Sequence, residues 1–147
     1  MAGATLKGAV HILNTLLRYL VVVLVAIPVS FIATCDLYVF ALPLDNDEWL
    51  AVPLGVLFLL FIVGVTAWAT RTGTLREDAA RAFKALMVVG LLTPVPILIL
   101  RIVFSGPVKI DAVDDGWLWG YVVVALIVGV IAAGIGYAGY RSLHPRD

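Results

Sequence analysis

Residues 19–42, YLVVVLVAIPVSFIATCDLYVFAL, form an apolar run of 24 residues with one charged side chain, Asp36. About 20 helical residues cross the roughly 30 Å hydrocarbon core of a bilayer. Lipid offers no partner to backbone N–H and C=O groups, so a spanning run must be helix or part of a closed barrel. Three more runs share this character, near 50–70, 82–104 and 117–140. Four segments are too few to close a barrel. The chain therefore reads as all-α, a polytopic membrane protein with one four-helix transmembrane domain over residues 1–147. The helices are expected near 19–42, 50–70, 75–104 and 117–140, in an antiparallel bundle joined by short connections.

Composition agrees. Hydrophobic residues make up 63% of the chain, mean hydropathy is +1.08, and charged residues are only 14%, against roughly 25% in ordinary globular chains. Ten basic and ten acidic residues balance, so charge gives no reason to expect nucleic acid as a partner. A single cysteine excludes an internal disulfide, a CxxC motif and a cysteine-built zinc site. The two histidines, His11 and His144, lie toward the ends of the chain, whereas haem held between helices needs them at membrane depth. There is no glycine-rich phosphate loop, HExxH or serine–histidine constellation. No cofactor, metal or catalytic residue is expected, and the chain reads as not an enzyme.

The basic residues orient the helices. Lys7 and Arg18 precede the first segment, Arg71, Arg76, Arg81 and Lys84 surround the second connection, and Arg141 and Arg146 follow the last segment. Only Arg101 and Lys109 fall on the other side. The positive-inside rule places both termini and the second connection in the cytoplasm, with a cell (plasma) membrane as the expected location. Trp49, Trp117, Trp119 and Tyr121 then fall at the outer interface, and Tyr19, Tyr137 and Tyr140 at the inner one, where amphipathic rings prefer to sit.

Local chemistry sets the boundaries. In TGTLRED (72–78), Thr74 with Glu77 reads as a capping box opening a helix at Leu75, Glu77 and Arg81 as an i, i+4 pair, and Gly73 as the cap ending the helix before it. Asp45 or Asn46, and Asp115, read as N-caps of the second and fourth helices. Pro28, and Pro94 with Pro96, each remove a backbone donor inside a span, so bends are expected there, with the Thr93 hydroxyl covering a freed carbonyl.

Two small-residue stripes read as helix-packing surfaces: Ala26, Ser30 and Thr34 in the first segment, and Gly129/Ala133 with Ala132/Gly136 in the last. Such spacing lets backbones approach where no hydrophobic force drives helices together. A displacement of 65 residues superposes IVGV (62–65) on IVGV (127–130) and Asp36 on Arg101, the pattern of a parallel repeat of two hairpins.

Asp36 is the residue that asks for chemistry, because an intramembrane ionisable group is a functional candidate with a partner to be named. Arg101, at similar depth in the third segment, is the expected partner in an Asp36–Arg101 ion pair. IATC (32–35) loosely resembles a lipoprotein cleavage box, but Thr34 precedes the cysteine and an apolar run follows it. Cys35 is therefore expected to be a buried, inert thiol. In size the chain is similar to the small multidrug transporters and the membrane glutathione-transferase superfamily. It lacks the mid-helix glutamate of the first and the arginine–asparagine–glutamate signature of the second. The expected role is a non-catalytic helical-bundle subunit, partnered by the lipid bilayer and by further copies of itself or other membrane subunits. The alternative is a small ion or solute transporter or channel using Asp36 and Arg101.

Overall fold

A computed structural model describes the backbone of residues 2–41, 47–104 and 115–144, and the side chains of 8–38, 51–99, 102 and 120–144. The described residues are helical, in the order α1 (Ala2–Ala41), α2 (Asp47–Ala69), α3 (Leu75–Leu92), α4 (Pro94–Phe104) and α5 (Asp115–Leu143). Four helical stretches are long and apolar enough to cross a membrane: Gly8–Tyr38, Ala51–Ala69, Leu75–Ile99 and Gly120–Leu143. By that measure the described residues are those of an all-helical membrane protein.

Boundaries differ from the sequence reading in two informative places. α1 begins 17 residues earlier than Tyr19, because no proline or turn chemistry interrupts the chain between Ala2 and Tyr19. Arg18 is thus inside the helix, and Pro28 lies within it without ending it. The third segment is two helices rather than one, broken at Thr93. Pro94 has no N–H for the Gly90 carbonyl and Pro96 none for that of Leu92. The Thr93 hydroxyl does not cover either freed group; it donates to Val89 O at 2.9 Å, which also accepts the Thr93 amide.

α1 and α3 are central. α2 packs mainly on α1, α5 packs mainly on α3, and the most extensive contact is between α3 and α5. The core joins Val22, Val25, Val29 and Ile32 of α1, Ala69 of α2, Ala82 and Leu86 of α3, and Ala132 of α5. In lipid such contacts are held by close packing rather than by expulsion of water. Glycine supplies that closeness on α5. A Cβ on Gly136 would lie 2.5 Å from Met87 N, and one on Gly129 would lie 2.6 Å from Gly90 O. The carbonyl that Pro94 leaves unpaired is therefore faced by a glycine Cα–H, a weak but geometrically recurrent contact.

At the start of α3, Thr74 is the N-cap in extended conformation, φ −111° and ψ 139°, but its side chain makes no cap hydrogen bond. The expected capping box with Glu77 is not formed, nor is the Glu77–Arg81 pair; the ion pair found among the described residues is Arg18–Asp78. Gly73 takes a positive φ of 85° in the connection itself, four residues beyond Ala69, rather than capping α2. The positions equated by a 65-residue repeat differ in environment. Gly64 meets nothing within 4 Å, while Gly129 is buried against α3. The expected caps at Asp45 or Asn46, and the side chains of Trp49, Asp115, Trp117 and Trp119, lie outside the described residues.

Candidate functional site

Along α1, Arg18, Val22, Val25, Val29, Ile32 and Asp36 recur at intervals of four and three, which keeps them on one helix face. The four aliphatic members are buried, so the stripe is the core seam of α1, and a charge closes it at each end. Those ends are about 27 Å apart at 1.5 Å per residue, close to the roughly 30 Å of the hydrocarbon core. The sequence reading singled out Asp36. The more completely built polar site is at the other end.

There, Arg18 Nε lies 2.6 Å from Asp78 Oδ2, with Asp78 fully buried and the arginine side chain 18% exposed. The other two guanidinium nitrogens are also engaged: Nη2 donates to Thr70 O at 2.9 Å and Nη1 to Gly73 O at 3.0 Å. Thr70 directly follows α2, so Arg18 supplies a cation and a donor to carbonyls left open at that helix end. Asp78 Oδ1 accepts the Thr72 amide at 3.3 Å and the Thr72 hydroxyl. One carboxylate in the first turn of α3, where the helix dipole favours a negative charge, thus ties α3 both to α1 and to the connection before it. Nearby, Arg76 Nε donates to Leu143 O, capping the end of α5, and Tyr140 stacks on His144 with centroids 4.8 Å apart. The ends of α2 and α5, the start of α3 and Arg18 of α1 therefore meet at one end of the molecule.

This clasp is a charge-paired network. The Arg18 Nε–Asp78 Oδ2 approach is an ion pair without hydrogen-bond alignment, while the other guanidinium nitrogens and Asp78 Oδ1 are hydrogen-bonded. Among the described residues no three His, Cys, Asp or Glu side chains gather as metal ligands would.

The residues singled out in the sequence fall as follows. Asp36 is half-buried on α1. Arg101 belongs to α4, but its side chain, and with it the Asp36–Arg101 pair, lies outside the described residues. Ala26 and Ser30 are fully buried, and Thr34 donates to Ser30 O at 2.8 Å. The buried Ser30 hydroxyl itself has no hydrogen-bond partner among the described residues. Gly129 and Gly136 are buried and Ala133 is half-buried, with Gly129 and Gly136 against α3 and Ala133 N close to Gly90. Cys35 is exposed, not buried, because it lies on the side of α1 turned away from the core seam. Arg18 and Asp78 were not anticipated as a pair. The available signal was the interval from Asp36 back to Arg18, in steps of four and three across buried valines. Comparison with protein-family models, with curated proteins and with solved structures finds no match to this chain.

Proposed function

We propose that the chain is a non-catalytic helical subunit of a cell membrane that associates with further copies of itself or with other membrane proteins. The observation that carries this reading is α2. Although it packs on α1, none of residues 51–68 is buried, and Ala69 alone among its described side chains joins the buried core. Gly55 and Gly64 leave its backbone open, with nothing within 4 Å of either added Cβ. The small residues on α1 and on the Gly129–Gly136 face of α5 are already used within the chain. Gly120 and Gly134 of α5 are open as well, but that helix has its most extensive contact with α3, so α2 is the surface favoured for association. Glycine backbone is where a neighbouring helix gains close packing that lipid chains do not match. The buried charges support a structural role, because the Arg18–Asp78 pair and its hydrogen bonds tie α1, the end of α2 and the start of α3 together.

The same reading makes the helices alternate in direction, with both termini in the cytoplasm. It sets the clasp, together with Arg71, Arg76, Arg81, Lys84 and Arg141, at the cytoplasmic headgroups. The test is disulfide trapping in native membranes, in a Cys35→Ser background. Gly64→Cys is expected to give a covalent dimer or a cross-link to a membrane partner, while Ile131→Cys, on the exposed side of α5, gives none. No cross-link at either site, together with a monomeric mass at all concentrations in mild detergent, would defeat the reading.

A further inference from the structure

α1 is longer than a bilayer requires, and its surplus lies at the clasp end. Residues 2–17 add about 24 Å of helix beyond Arg18. None of residues 8–17 is buried, and Val10, Ile12, Leu13, Leu16 and Leu17 are 46–67% exposed. At 100° per residue, Leu6, Ala9, Val10, Ile12, Leu13, Leu16 and Leu17 fall within an arc of about 160°, and positions 7, 11, 14 and 18, held by Lys, His, Asn and Arg, fall opposite. The segment is therefore amphipathic; its one formally charged side chain is Lys7, Arg18 follows it at the clasp, and Asp36 is the first acidic residue in the sequence.

It does not fit as a continuation of the span. Gly8–Tyr38 is 31 residues, about 46 Å of helix, which would need a tilt of about 50° to fit a 30 Å core, beyond the range of about 0–40° seen for membrane helices. The clasp and its cluster of arginines also mark where headgroups begin. A helix projecting straight into water would leave five large aliphatic side chains wet.

Register supplies the resolution. The apolar stripe of residues 6–17 continues into Leu20, Leu24, Ile27 and Phe31, the exposed side of α1, and the polar stripe continues into the core seam. If the segment tips outward at the clasp, away from the other helices, the side facing lipid turns down onto the bilayer and the polar side turns up into water. Tipping inward would do the reverse. Thr15 Oγ1 donates back to His11 O at 2.9 Å, a local bond of the kind that bends helices.

We infer that residues 2–17 form an interfacial helix that lies on the anionic lipid surface at the clasp end, with Leu13, Leu16 and Leu17 in the acyl boundary and the basic edge among headgroup phosphates. Apolar burial plus attraction to anionic lipid is the binding mode of such helices.

The test uses the full chain with Cys35→Ser and single cysteines from Ala9 to Leu17, spin-labelled in vesicles of phosphatidylcholine with phosphatidylglycerol. Accessibility to oxygen and to a water-soluble nickel chelate is then measured. Oxygen should be favoured several-fold at Val10, Leu13 and Leu17, all at one depth, and the chelate at His11 and Asn14. In vesicles of phosphatidylcholine alone the Leu13 label should move toward water. Uniform access to the chelate would mean a helix projecting into solvent. Depth increasing steadily toward Ala9 would mean a continued span, and exclusion of both reagents at Leu13 would mean cover by protein. Each of these overturns the proposal. An unchanged Leu13 depth without phosphatidylglycerol overturns its electrostatic part.

Discussion

Asp78→Ala is expected to destabilise the protein by about 3–5 kcal/mol, because it strands a largely buried guanidinium without its counter-charge. The loss has a second component. Thr72 loses the acceptor of both its amide and its hydroxyl, so the connection between α2 and α3 loses its anchor as well as its ion pair. Arg18→Met should cost a similar amount, since it leaves Asp78 fully buried with only Thr72 as partner and opens the carbonyls of Thr70 and Gly73. Asp78→Asn, which keeps an acceptor for Thr72 but no charge, should fall between Asp78→Ala and the parent. The discriminating variant is the pair Arg18→Met with Asp78→Leu. Replacing both partners of a buried ion pair by apolar side chains is often far less damaging than removing one, so the double variant should be more stable than either single one. Reversible unfolding in mixed detergent micelles measures these four and the Asp78→Leu single variant that closes the cycle. Strict additivity of the two single losses would mean that the charges are not coupled, and the clasp would then be two unrelated surface contacts. Limited proteolysis gives a local readout. Cleavage after Arg71 should accelerate in Asp78→Ala before the helices as a whole come apart.

The division between what the sequence discloses and what it does not follows physical lines. The four spans are legible because lipid imposes a length and a composition that few other structures require, and the break at Pro94 is legible because proline cannot donate. The start of α1 is not, since hydropathy marks where the membrane begins and carries no mark for where a helix begins. Between Ala2 and Tyr19 no residue stops one. Arg18 therefore reads as a charge outside the membrane, although it is the last rung of the buried seam. The first turn of α3 presents both Glu77 and Asp78 to the helix dipole, and local rules favour Glu77 as the partner of Thr74. Only the position of Arg18 on another helix decides that Asp78 turns inward and Glu77 outward. The small-residue stripe of α5 is visible as a spacing, but spacing names no partner. That partner is α3 of the same chain, through Gly90, a glycine with no companion at the same interval on its own helix.

That contact predicts a reversal of sign between glycines on one helix. At Gly134 an added methyl meets nothing within 4 Å, so Gly134→Ala changes only helix propensity and should be neutral or stabilising by up to about 1 kcal/mol. At Gly136 the same methyl would lie 2.5 Å from Met87 N and 2.7 Å from Phe83 O. Both are backbone atoms of a helix and cannot move aside as a flexible side chain would. α3 and α5 must separate, and the overpacking cost of about 1–3 kcal/mol exceeds the gain in propensity. Gly90→Ala should behave alike, since its methyl would meet Ala133 N at 2.6 Å and Gly129 O at 2.7 Å. It would also push Gly129 away from the carbonyl that Pro94 leaves open. A leucine at Gly136 enlarges the separation and should exceed the alanine cost, whereas leucine at Gly134 faces lipid and should be tolerated. The same unfolding measurement ranks the variants. If Gly136→Ala proves as stable as Gly134→Ala, the close crossing of α3 and α5 is wrong. The freed Gly90 carbonyl would then need another partner, because a bilayer supplies none.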